Sequence, residues 1–76
     1  MANGSHDDSR RRFLDLLLER VAEDMYPSGT MMDFIEGLLR PDEVPAYTAV
    51  LMQKIQDDAY PSIDMMRRVM ALVEPA

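Results

Sequence analysis

Two adjacent carboxylate pairs, Glu23/Asp24 and Asp57/Asp58, are the residues of this chain best equipped for acid–base chemistry. Paired carboxylates act as acid and base only where burial or a neighbouring charge holds one of them near neutrality. Both pairs close a long expected helix, where acids oppose the macrodipole, and the expectation is four solvated acids able to meet a basic surface. The chain has no cysteine and a single histidine, His6, and its three glycines are scattered rather than gathered into a phosphate-binding loop. A nucleophile–base pair or a Cys/His metal cage has no material here. The sequence therefore reads as a protein that is not an enzyme, with no cofactor and no metal.

Three other groups could make contacts. Methionine occurs eight times, including the doublets Met31/Met32 and Met65/Met66. The unbranched thioether re-packs easily, which suits a surface that grips partner helices. The plainer alternative places one methionine of each doublet in the core, and a thioether copper site is a remote third. Arg10, Arg11 and Arg12 form a basic run able to touch nucleic acid, an anionic surface or an acidic partner. Tyr26 and Tyr60 belong to a repeated Tyr-Pro-Ser string, whose rings are expected to pack across a corner and whose serines are expected to cap helices.

The elements that carry these groups follow from a repetition. Shifted by 34 residues, Asp8 to Leu39 matches Asp42 to Val73 at nine identical positions, where average composition gives about two. Within each copy, apolar residues recur at intervals of three and four: Phe13/Leu14, Leu17/Leu18, Val21 and Met25, then Tyr47, Val50/Leu51, Ile55 and Ala59. That spacing lines one face of a helix, and strand-like alternation is absent. The spacing predicts helices over 8–25, 29–39, 43–59 and 63–73. Asp8 and Asp42 stand where N-caps are wanted, and Pro45 is tolerated in a first helical turn because its missing N–H would lack a partner there. Pro27 and Pro61 force Tyr26 and Tyr60 out of the helical region, and Ser28 and Ser62 can then accept from the first amides of the next helix. Asp64 adds favourable charge at the start of the fourth helix.

The expected fold is all-α: two tandem helical hairpins, 8–39 and 42–73, closing into a compact four-helix bundle with pseudo-two-fold symmetry. Residues 1–7 read as a disordered leader ahead of a single domain, 8–76. The period is shared with tetratricopeptide repeats, but their Trp, Leu-Gly and Tyr spacing is missing. The Tyr-Pro-Ser corner leaves no room for a twelve-residue calcium loop.

Net charge of −6 disfavours binding to a phosphate backbone, where affinity comes from displaced counterions. The longest apolar run, Leu16 to Leu18, is too short to span a bilayer. No secretory leader is legible in 1–7, and a cytoplasmic location is the default expectation. The functional expectation is a small acidic protein–protein interaction module, an adaptor or regulator, that binds a partner through a Met-rich apolar patch. Met31, Met32, Phe34, Met65 and Met66 would form the patch, with Tyr26 and Tyr60 at its rim. Arg10, Arg11, Arg12, Glu23, Asp24, Asp57 and Asp58 are the candidate electrostatic contacts. Homodimerisation through the uncovered faces of the short helices is also expected, helped by opposite charges at Asp33/Glu36 and Arg67/Arg68. The alternative is an acidic inhibitor, immunity- or antitoxin-like, whose carboxylates occupy the basic site of a nucleic-acid enzyme.

Overall fold

The structure, a computed structural model, describes residues 3–74, with side chains from Asp8 onward. It contains α1 (Asn3–Glu23), α2 (Gly29–Leu38), α3 (Val44–Asp57) and α4 (Ile63–Val73), with one 3₁₀ turn at Pro41–Glu43. No strand occurs among the described residues, so the all-helical expectation holds. The chain divides into two units, the first ending at Leu39 and the second beginning at Arg40.

In the first unit the sequence enforces a corner. Pro27 denies Tyr26 the helical conformation, and the chain leaves the helix two residues earlier, after Asp24 donates its N–H to the Arg20 carbonyl at 2.9 Å. Ser28 is extended, with φ −73° and ψ 146°. Its Oγ accepts from the Met31 amide at 3.0 Å and satisfies one of the orphan donors of α2. The far end is tied as well: Arg10 Nη1 donates to the Leu38 carbonyl at 3.0 Å, which fixes the two helices as antiparallel. With 21 residues in α1 and 10 in α2, the helices measure about 31 and 15 Å, and α1 runs past its partner. Leu14 and Val21 of α1 and Met32 and Ile35 of α2 are the buried apolar residues of this unit.

The second unit opens differently. Pro41 starts the 3₁₀ turn, and the Arg40 amide ahead of it donates to Glu43 Oε1 at 3.0 Å. Pro45 falls within the first turn of α3, where its missing N–H costs no hydrogen bond. Thr48 is buried with its hydroxyl donated to the Val44 carbonyl at 2.9 Å, so burial leaves that donor satisfied. The corner repeats the first one, with Ser62 Oγ accepting from the Met65 amide at 3.1 Å. Tyr47 and Leu51 of α3 and Met65 of α4 are the buried apolar residues.

Several expectations are corrected. α1 is already helical from Asn3, so residues 3–7 of the expected leader belong to it, and Asp8 lies inside a helix instead of capping one. Residues 1 and 2 of that leader lie outside the described residues. Asp42 does not cap α3 either; the side chain that reaches back to a backbone amide is Glu43. Phe13 was placed on the buried track and is half exposed, whereas its counterpart Tyr47 is buried. Met25 and Ala59 fall beyond the ends of α1 and α3, where helical spacing no longer governs which way a side chain points.

The serine caps set a clear expectation. Ser28→Ala and Ser62→Ala should each lower unfolding free energy by about 1 kcal/mol in urea denaturation. Ser→Gly should cost only a few tenths, and Asp42→Ala should stay within about 0.5 kcal/mol because Asp42 supplies no cap.

Candidate interaction surfaces

Adjacent residues on a helix point about 100° apart, so only one member of a methionine doublet can face a core. The structure buries Met32 and Met65, at 2% and 4% exposure, and leaves Met31 half-buried and Met66 exposed. Met32 and Met65 are thereby corrected from patch to core: a side chain inside the fold cannot meet a partner. The member chosen differs between the copies, the second methionine in α2 and the first in α4.

The tyrosine corners also differ from expectation. Tyr26 and Tyr60 do not pack across their corners; they are 83% and 92% exposed, the highest values among the large apolar residues. Pro27 and Pro61 are half-buried there instead. Phe34 is exposed as well.

The electrostatic candidates do not form one field. Arg10 is half-buried and donates to the end of α2, Arg11 pairs with Asp15 at 3.7 Å, and Arg12 lies beside Asp15, Leu16 and Glu19. Three consecutive helical residues spread over most of the circumference, so the basic run is not a single cationic patch. Glu23 and Asp57 are exposed, and Asp24 and Asp58 are half-buried at the helix ends. Asp57 Oδ1 accepts from Gln53 Nε2 at 3.0 Å. Arg68 donates to Asp64 Oδ2 at 2.8 Å, so its charge is met within α4. Among the described residues no three acidic or histidine side chains converge as metal ligands would, and no helix is long and apolar enough to cross a membrane.

The residues that sequence reasoning missed, Ile63, Met70 and Val73, lie on α4 beside the expected Met66. All four are exposed, at spacings of three, four and three. They form one row along the helix, while Met65, Arg68, Val69 and Leu72 occupy the buried and half-buried side. The signal was present in the sequence, since α4 carries apolar residues on two faces and a single core can cover only one. Burying a whole side chain of this kind is worth about 1.5–3 kcal/mol, so covering four that are already partly buried yields about 3–6 kcal/mol. That only matches the lower range of association costs, about 4–15 kcal/mol. A partner on this row must therefore reach neighbouring groups too, and Tyr60 precedes Ile63 by three residues.

Two open grooves complete the surface. One, of about 340 Å³, lies between α1 and α2 and is lined by Phe13, Asp33, Phe34, Gly37 and Leu38. The other, of about 370 Å³, lies between α3 and α4 and is lined by Val44, Pro45, Thr48, Ala49, Met52, Leu72 and Val73.

No family model matches the sequence, and neither a curated protein nor a solved structure does so.

The split methionines give a direct test by thermal or urea unfolding. Met32→Ala and Met65→Ala should each cost about 2–5 kcal/mol, a large part of the stability of a domain this small. Met66→Ala and Met70→Ala should change it by no more than about 0.5 kcal/mol.

Proposed function

We propose that the chain is a small acidic protein–protein interaction module, an adaptor or regulator that engages its partner through an apolar patch. The observation that carries this reading is the exposed row Ile63, Met66, Met70 and Val73 on α4. Met66 stays in the patch from the original set, Met32 and Met65 leave it, and Ile63, Met70 and Val73 enter. The adaptable thioethers at its centre suit a surface that must fit another protein.

The spacing three, four, three reads the same in both directions. An antiparallel second copy would set Ile63 against Val73 and Met66 against Met70, the self-complementarity that a two-fold interface requires. A homodimer through α4 is therefore the first association proposed. The finer architecture belongs to the same proposal: the 34-residue repetition of the sequence is taken as two related hairpins closing into one four-helix bundle about an approximate two-fold axis. The buried sets of the two units are not equivalent, so that symmetry would be loose.

Apolar association and acidic inhibition differ in their response to salt. At about 1 M salt the screening length is about 3 Å and exposed charge pairs contribute little. Sedimentation velocity and affinity capture should show the association retained at that salt, and lost in an Ile63→Asp, Met70→Asp double variant that keeps its helical circular dichroism. Steep loss with salt, indifferent to the double variant, would instead establish the acidic inhibitor acting through Glu23, Asp24, Asp57 and Asp58.

A further inference from the structure

The groove of the first unit has a feature that internal packing does not account for. Gly37, in the last turn of α2, forms part of its wall. Glycine within a helix costs about 0.5–1 kcal/mol relative to alanine. Its backbone is not in the left-handed region, and a Cβ added there would meet nothing within 4 Å. Among the described residues nothing fills the space of the missing side chain. Such a glycine lets another molecule come close to the backbone.

What borders Gly37 says what that molecule is like. Phe13 from α1 and Phe34 and Leu38 from α2 present apolar surface, and Asp33 is the one charged side chain in the lining. The groove lies at the C-terminal end of α2, where the macrodipole places negative potential. Arg10 donates to the Leu38 carbonyl at 3.0 Å and offsets part of that potential. Through Leu39 the chain carries eight acidic residues against four arginines, so the wider field has the same sign. The groove is open to solvent and small, near the lower end of ligand-pocket size. It suits one or two large apolar side chains presented by a protein better than an enclosed small molecule.

We infer that the groove between α1 and α2 docks a cationic amphipathic helix of a partner protein, with an apolar anchor between Phe13 and Phe34, helix backbone close over Gly37, and a lysine or arginine at Asp33. The mode is helix-in-groove recognition, with apolar anchors giving affinity and the charge giving orientation. The inference stands apart from the α4 row, since all its residues belong to the first unit.

The test uses the full chain and fluorescence anisotropy with a labelled leucine/lysine amphipathic peptide about four turns long, and its leucine/glutamate counterpart as comparison. The lysine peptide should bind and the glutamate peptide should not. Gly37→Leu fills the groove with a good helix former, so it should weaken binding at least about tenfold while leaving the thermal midpoint at or above that of the parent. Asp33→Asn should weaken binding about threefold at low salt and have no effect at high salt. Met70→Asp should leave peptide binding unchanged. Equal binding of the two peptides, undiminished binding to Gly37→Leu, or loss of binding in Met70→Asp would overturn the inference. So would a change in sedimentation of Gly37→Leu without loss of peptide binding, which would make a second copy of the chain the occupant.

Discussion

A proline without an N–H, placed between a tyrosine and a serine, controls both units of this protein. Pro27 and Pro61 forbid the preceding residue the helical conformation, and Ser28 and Ser62 then supply the acceptor that the next helix lacks, at 3.0 and 3.1 Å. Each long helix must stop, and each short helix can start at once. With the turn fixed, α2 is directed back along α1 and α4 back along α3, and only one stripe of each helix can be covered. Tyr26 and Tyr60, the residues each proline constrains, are both exposed at these corners.

Economy of core explains why so much apolar surface stays outside. The largest wholly buried side chains are Tyr47, Leu14, Ile35, Leu51 and Val21, few for a chain in which 47% of residues are apolar. A chain of this size can cover only part of its apolar residues; four of the exposed ones line up on α4, Phe13 and Phe34 border one groove, and Leu16, Met25, Tyr26, Met52 and Tyr60 lie elsewhere. Exposed apolar residues scattered singly need no explanation, whereas a row or a groove does. That distinction is the ground for reading the protein as one that binds other proteins. Under the proposed reading, the net charge of −6 would favour basic partners over phosphate backbones.

Legibility from the sequence was uneven, and the unevenness has a physical basis. Helix α4 begins and ends at the expected residues, and α2 ends one residue before its expected limit, because a serine cap and a proline act locally and their effect is read from neighbouring letters. The N-terminus of α1 differs from expectation because α1 starts at Asn3, ahead of Asp8, and a residue favoured at caps does not by itself mark one. No side chain caps α3: the 3₁₀ turn Pro41–Glu43 leads straight into it, and the Glu43 carboxylate accepts from the Arg40 amide ahead of that turn. For the surface, the exposed pair Tyr26 and Tyr60 was included for the rim, yet packed rings were expected; the row on α4 was hidden by the assumption that apolar spacing marks a core.

By itself the sequence determined where α2 and α4 start, that Ser28 and Ser62 cap them, and that no cysteine is present for a disulfide or a Cys/His metal site; these depend on backbone sterics and residue inventory, both local. Tertiary structure decided which of two adjacent methionines is buried, that Phe13 is half exposed while Tyr47 is enclosed, and that Arg10 donates to the Leu38 carbonyl at the end of α2. A helix with apolar residues on two sides can turn either one inward at similar local cost. The choice is made by the packing of the opposite helix, a contact between residues far apart in the chain that no local pattern contains.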